Sequence, residues 1–326
     1  MAAVFAAVVA SSLTAGESRP RSLADPCAAV QQGGEGWLDR VHDWTTRVIC
    51  STILGFDGFF GNAQAEDVKE LPSGLLGLRL HWSEDQLFWS RVRFRLRFDL
   101  PNLSRKLKGF LGRESEGEYL SDRAESTAVK ELSREEPYHW VAGLGTTPLH
   151  GERFRFRVSG GATVSTSPQL YGKGRYWLLF PLGPSSLGRF SQTVFWRHRD
   201  GAGATTSLDL EHRYGDRFLL RWGADATLSE ISQGVEWYSS LTLYQEFTVD
   251  SAAYYRAWVR GATDAPVPTG EYGIHVTWRR RILRKWLFAE VGGGVSWIRR
   301  HPWEPRRASL GVTVGTEMQF GPGSGS

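Results

Sequence analysis

Residues 88–98 read Phe-Trp-Ser-Arg-Val-Arg-Phe-Arg-Leu-Arg-Phe, and this run constrains the fold more than any other feature of the chain. Side chains alternate between faces along an extended strand. Val92, Phe94, Leu96 and Phe98 therefore share one face, while Arg91, Arg93, Arg95 and Arg97 share the other. A helix would spread both sets round its circumference, and a soluble sandwich needs an outer face that is only mildly polar. The pattern suits a strand with hydrocarbon on one side and a wet, charged space on the other. Arg153-Phe154-Arg155-Phe156-Arg157-Val158 repeats it.

From Gly74 onward the hydrophobic period is 2. Strands are expected at 88–98, 153–158, 190–198, 207–214, 217–227, 235–247, 253–260, 272–279, 287–298 and 310–320, with weaker candidates at 75–82, 106–112, 138–147 and 171–180. The expected fold is all-β: an antiparallel transmembrane β-barrel over 74–320 of about 14 strands, or about 12 if two are miscounted. Turn signals separate the strands at Asp200-Gly201, Gly215-Asp216, Val249-Asp250 and Asp264–Gly270. Connections alternate in length. Arg281–Lys285, Thr248–Ser251 and Tyr214–Asp216 are short and fall on one side; Arg113–Pro137, Ala162–Leu170 and Ala262–Gly270 are longer and fall on the other. Short periplasmic turns and longer outer loops produce this asymmetry.

The remaining composition agrees. The longest apolar run, Ala2–Ala10, is far below the roughly 20 residues a spanning helix requires. Aromatic residues reach 13% and include 14 Trp, and Trp82, Trp196, Trp237, Trp278 and Trp297 fall near expected strand ends, where an interfacial girdle would place them. The net charge of +4 comes with no nucleic-acid motif, so nucleic acid is not an expected partner. Residues 1–24 have the apolar core and small residues of a secretory signal without its basic start, with cleavage after Ala15 or Ala24. In the segment 25–73, Trp37, Leu38, Val41, Trp44, Val48 and Ile49 give an amphipathic helix over 36–53. That helix could plug the lumen, lie on the periplasmic membrane face or cap the barrel end. Cys27 and Cys50 would pair after export or stay as thiols, and the Gly-Pro-Gly-Ser-Gly-Ser tail at 321–326 looks appended.

The last strand, Leu310 to Phe320, has apolar residues at Leu310, Val312, Val314, Met318 and Phe320 and ends on an aromatic ring. It resembles the C-terminal insertion signal of Gram-negative outer-membrane barrels, carried here by Val314, Met318 and Phe320, with Thr316 departing from the pattern. The segment Tyr272–Trp297, with its Arg279-Arg280-Arg281-Ile282-Leu283-Arg284-Lys285-Trp286 stretch, resembles an uncharacterised family of proteobacterial outer-membrane barrels over Trp37–Phe320. The resemblance implies a bacterial outer-membrane location. Its implied partners are membrane lipid and lipopolysaccharide, the assembly machinery during insertion, and an envelope protein. It transfers no catalytic residues.

Arg91, Arg93, Arg95, Arg97, Arg153, Arg155 and Arg157 are the candidate lumen-lining, anion-binding residues, since confined guanidinium groups favour anions and grip carboxylate or phosphate bidentately. The competing expectation is a closed barrel in which Asp99, Asp209, Glu211, Asp225, Glu236, Glu246 and Glu290, all of lumen parity, pair with them. An outer-membrane enzyme would need His198, Ser207, Asp209, Glu211 and His212 to converge, but both histidines have the parity of the apolar face. No enzyme, cofactor or metal site is expected, as no CxxC or Cys/His cluster occurs.

Overall fold

The computed structural model describes residues 73–320 apart from 86, 100–106, 116–137, 165–166, 200 and 233, together with Gly36 and Trp37. The expected signal segment, the helix beyond Gly36 and Trp37, the Cys27–Cys50 question and the 321–326 tail lie outside the described residues.

Fourteen strands close into one antiparallel ring. They are β1 (Ser73–Ser83), β2 (Leu87–Asp99), β3 (Leu107–Ser115), β4 (Tyr138–His150), β5 (Phe154–Val164), β6 (Leu170–Gly183) and β7 (Ser186–Arg197), followed by β8 (Gly201–Tyr214), β9 (Phe218–Ser229), β10 (Glu236–Thr248), β11 (Ser251–Ala262), β12 (Glu271–Arg281), β13 (Leu287–Ile298) and β14 (Arg307–Phe320). The sequence pattern locates every one of them, the weaker candidates included. The strands run longer than the alternation alone indicates. β5, for instance, continues through Ser159-Gly160-Gly161-Ala162 to Val164, which shortens the loop expected from Ala162. Even parity places both barrel ends on one rim. The connections 151–153, 184–185, 215–217, 249–250 and 282–286 share that turn rim, and 263–270 and 299–306 lie on the opposite loop rim.

Polarity is the reverse of a soluble protein's. On β1, Leu78, Leu80 and Trp82 are exposed, while Arg79, His81 and Ser83 are buried. On β14, Leu310, Val312 and Val314 are exposed, while Ser309, Thr313 and Glu317 are buried. β7 and β12 follow suit: Val194 and Trp196 face out against Thr193 and Arg197, and Ile274, Val276 and Trp278 face out against His275 and Thr277. An apolar belt round a closed, polar ring satisfies every backbone ladder without water, which defines a transmembrane barrel. Trp82, Trp196, Trp237 and Trp297 ring the loop rim, with Tyr272 stacked on Trp297 at 5.5 Å. The expected interfacial girdle is thus in place on that side.

Closure depends on β1 pairing with β14, from Gly74 opposite Phe320 to Ser83 opposite Gly311. Phe320 is 2% exposed and forms an outer-face cluster with Leu96, Leu76, Phe94, Phe98 and Met318. Its ring lies over Gly74, so any Cβ there would collide with it. The same device recurs near the turn rim, where Phe98 covers Gly109 and Phe180 covers Gly188. Glycine in these strands makes room for a ring on the neighbouring strand.

A Gly74→Val substitution should therefore destabilise the barrel by about 1–3 kcal/mol through overpacking. Gly172→Ala, where an added Cβ meets nothing within 4 Å, should be neutral. Urea unfolding in detergent followed by Trp fluorescence would measure both.

Candidate functional site

Strand register assigns the inner wall, because residues directly opposite share a face. β2 contributes Arg91, Arg93, Arg95 and Arg97, which stand opposite Arg79, Gly77, Leu75 and Ser73 of β1. β5 contributes Arg155 and Arg157, opposite Trp177 and Arg175, and Ser159 faces Lys173. Across β7 and β8, Arg189 stands opposite Asp209 and Arg197 opposite Gly201. Strands β4–β7 contain no acidic residue at all. The wall from β2 to β7 is therefore dominated by positive charge, with Asp99, opposite Lys108, as the acidic position on β2 and Glu114, opposite His139, as that on β3.

Aromatic rings position several of these cations. Arg157 and Arg175 would repel one another as a direct cross-strand pair, yet both sit against Trp177, at 5.4 and 4.8 Å from its ring centre. A guanidinium stacked on an indole gains about 0.5–2 kcal/mol and keeps its N–H edges free to point away from the ring. Arg91 lies over Trp89 at 4.6 Å, and His81 stacks on Trp89 at 3.9 Å. His81 Nδ1 in turn lies 2.9 Å from the Thr313 hydroxyl of β14. An apolar shelf of Val141, Tyr171 and Phe195, with Phe110 packed against it, interrupts the charged surface on β3–β7.

The other half of the wall carries both signs, and there several of the acids are paired with arginines. Arg79 of β1 reaches past β14 to Glu290 of β13, with N···O distances of 3.0 and 2.5 Å. Arg79 can pass because Gly315 lies beneath it; a Cβ at that position would meet the Arg79 side chain. Glu290 also accepts from Arg279 at 2.6 Å, and Arg279 donates to Glu317 at 2.7 Å, which takes a further bond from Gln319 at 3.0 Å. Four strands across the closing seam are thus tied by one network. Further round, Arg260 pairs with Glu271 and Arg221 with Glu211, each at 2.5 Å, and the Ser207 hydroxyl donates to Asp225. At the turn rim a cavity of about 800 Å³ opens, lined by Arg213, Glu246, Asp250, Arg279 and Phe288 among others.

Of the seven arginines expected to line the lumen, Arg91, Arg93, Arg95, Arg97, Arg155 and Arg157 occupy inward strand positions. Arg153 falls in the β4–β5 turn, exposed at the rim. Among the insertion-signal residues, Val314 faces outward, and Met318 and Phe320 join the seam cluster. The enzyme candidates do not converge. Ser207 and Asp209 face inward, whereas His212 faces outward and meets Ser186 at 2.7 Å, and His198 lies against Trp196. Arg279, the first residue of the basic stretch 279–285, is a lumen residue. Its neighbour two positions on, Arg281, pairs with Asp250.

Sequence reasoning missed Lys173, Arg175, Arg189 and Arg197. Lys173 and Arg175 do alternate within Tyr171-Gly172-Lys173-Gly174-Arg175, but glycines fill the outward positions and erase the apolar half of the signal. The carboxylates Glu271 and Glu317 were missed as well, and their partners become visible only once the register is known.

Glu290 is the partner of two arginines and is itself almost wholly enclosed, with 7% of its side chain exposed. Glu290→Gln removes the carboxylate that the enclosed Arg79 guanidinium grips, while the part-buried Arg279 keeps Glu317, and should cost about 3–5 kcal/mol. Chemical denaturation should show a lower midpoint with an unchanged slope.

No family model matches the sequence, and no curated protein matches it either. Solved structures with a similar chain course are outer-membrane barrels. The outer membrane channel DcaP of Acinetobacter baumannii is 8% identical with a TM-score of 0.47, covering 76% of this chain and 96% of that one. An anion-selective porin from Comamonas acidovorans is 11% identical with a TM-score of 0.40, covering 76% of this chain and 98% of that one. A KdgM porin in complex with disordered oligogalacturonate is 8% identical with a TM-score of 0.37, covering 76% and 99%. The likeness is one of barrel architecture, and what each of those lumens conducts is a property of that protein.

Proposed function

We propose that this chain is a bacterial outer-membrane pore that passes small anionic solutes along the basic wall of its lumen. One observation carries the reading: β4–β7 contribute Arg155, Arg157, Lys173, Arg175, Arg189 and Arg197 to the interior without a single acidic residue of their own. The ladder Arg91, Arg93, Arg95 and Arg97 continues the same field on β2. Charges of one sign along a low-dielectric channel raise the local concentration of the opposite ion. The proteobacterial barrel family suggested by the Tyr272–Trp297 segment belongs to this proposal, as do lipopolysaccharide as the outer-leaflet neighbour and the assembly machinery that would read Val314, Met318 and Phe320. A docking role toward an envelope protein remains the alternative, favoured by how little of the Arg91 and Arg175 side chains solvent reaches.

Arg93→Glu combined with Arg95→Glu should shift the reversal potential in a planar bilayer toward cations under a KCl gradient. An unchanged reversal potential in a conducting, folded variant would remove these arginines from the conduction path.

A further inference from the structure

By register, every acidic residue in the fourteen strands takes an inward position, whereas two basic residues, Arg113 of β3 and Arg280 of β12, take outward ones. Arg280 ends a graded outer face. Along β12 the outward positions run Ile274, Val276, Trp278 and Arg280 toward the turn rim, from aliphatic through indole to cation. The Trp278 ring is fixed by its Nε1, which donates to the Ser251 hydroxyl at 2.8 Å. An outward Trp at the edge of an apolar belt marks the membrane–water interface. Two residues further along a strand is about 7 Å, which sets Arg280 at the depth of the lipid headgroups.

Around Arg280 the neighbouring side chains are short. Ser251 of β11 and Ala289 of β13 stand directly opposite it, and Thr316 of β14 stands opposite Ala289. They leave a shallow notch across β11–β14, with Trp278 and Val291 on its hydrocarbon side. The turn 282–286 borders it on the water side and adds Arg284 and Lys285, both exposed. Trp286, 3% exposed, anchors this turn, and the Ile282 N–H donates to the Leu287 carbonyl at 2.9 Å. At its tip Leu283 is 73% exposed and held at a φ of 55°, a left-handed conformation that leucine rarely adopts. An apolar tip among cations is the chemistry of an interfacial anchor.

We propose that Arg280, Arg284 and Lys285 form a binding site for the phosphate of an anionic phospholipid in the periplasmic leaflet, with Ser251 and Thr316 beside the headgroup and Leu283 in the boundary with the acyl chains. The basic stretch thus divides by direction. Arg279 turns inward to Glu290 and Glu317, and Arg281 pairs with Asp250 at 3.2 Å. Arg280, between them, pairs with no carboxylate among the described residues. A guanidinium grips phosphate oxygens bidentately, and each cation near a membrane surface strengthens the hold on an anionic lipid. The absence of outward carboxylates selects the headgroup. A zwitterionic lipid brings an ammonium that no outward strand position can receive, and the carboxylate next to Ser251, that of Asp250, is engaged by Arg281. Phosphatidylglycerol brings the negative charge alone. The site lies on the outer surface and does not depend on what the lumen conducts.

The test titrates the folded full chain in detergent with dioleoyl phosphatidylglycerol or dioleoyl phosphatidylethanolamine and reads the first bound lipid by native mass spectrometry. Phosphatidylglycerol should bind tighter by roughly fivefold or more, and Arg280→Gln/Arg284→Gln/Lys285→Gln should bring the two lipids to parity. Removing the same charge at the loop rim, with Arg199→Gln/Arg300→Gln/Arg307→Gln, should leave the preference unchanged. Ala289→Leu/Thr316→Leu fills the notch, keeps every cation and should abolish the preference. Heat-modifiable gel mobility identifies the folded barrel in each case. A parent without the preference, or a triple variant that keeps it, overturns the site. An equal loss in the loop-rim variant does so too, since net charge then accounts for the effect. A parent that ignores phosphatidylglycerol but binds a polyglutamate peptide through these cations also overturns it, and assigns the rim to an acidic periplasmic protein.

Discussion

In hydrocarbon an unpaired backbone N–H or C=O has no water to turn to, so the ladder between the first strand and the last is the interaction on which the rest of this structure depends. It joins residues more than two hundred positions apart, and both faces of the seam are built to hold it. On the lipid side Phe320 fills the space above Gly74 and packs on Leu96. On the lumen side Arg79, Glu290, Arg279 and Glu317 bind β1, β13, β12 and β14 together, with Arg79 and Glu290 separated by 211 positions in sequence. Only when the ring is closed do the arginines of β2 and β5 face a common interior. The charge pattern of the lumen is thus a consequence of closure as much as of the strands that carry it.

Within that interior, charge is sorted by sector. From β8 to β14, and on β1, cations have carboxylates at hand: Arg221 with Glu211, Arg260 with Glu271, Arg79 and Arg279 with Glu290. The strands β4 to β7 carry no carboxylate of their own; Arg189 reaches Glu211 of β8, while Arg157 and Arg175 share the faces of Trp177. The two arrangements have different consequences. An enclosed ion pair presents little net charge to a passing solute and ties strands together. A guanidinium on an indole face keeps its full charge and most of its donors. The first sector holds the barrel together, and the second gives it a sign.

How much of this was legible beforehand follows from what each feature needs. The ladder at 91–97 and the terminal strand at 310–320 were readable because both halves of their alternation are present, charged or polar inside and apolar outside. The parity of short and long connections then fixed which end was which. Lys173 and Arg175 were hidden by glycines on the outward face, and Ser159 to Val164 by a run of small residues with no alternation at all. The pairings were hidden for a different reason. Glu290 has the right parity in the sequence, but parity does not say that Arg79 will reach it past Gly315, or that Arg279 will bridge it to Glu317. Those facts belong to the register, a property of two strands together.

The sorting of charge also bears on why the inner wall tolerates so many cations. Isolated like charges in a dry space are costly, and cross-strand partners of one sign such as Arg157 and Arg175 add to that cost. A lumen filled with water meets part of the cost through hydration, and an anion resident in it meets more. A wall of this composition is therefore most stable when something negative occupies it. The stability of the barrel and the occupancy of its lumen are on this account two readings of one set of charges.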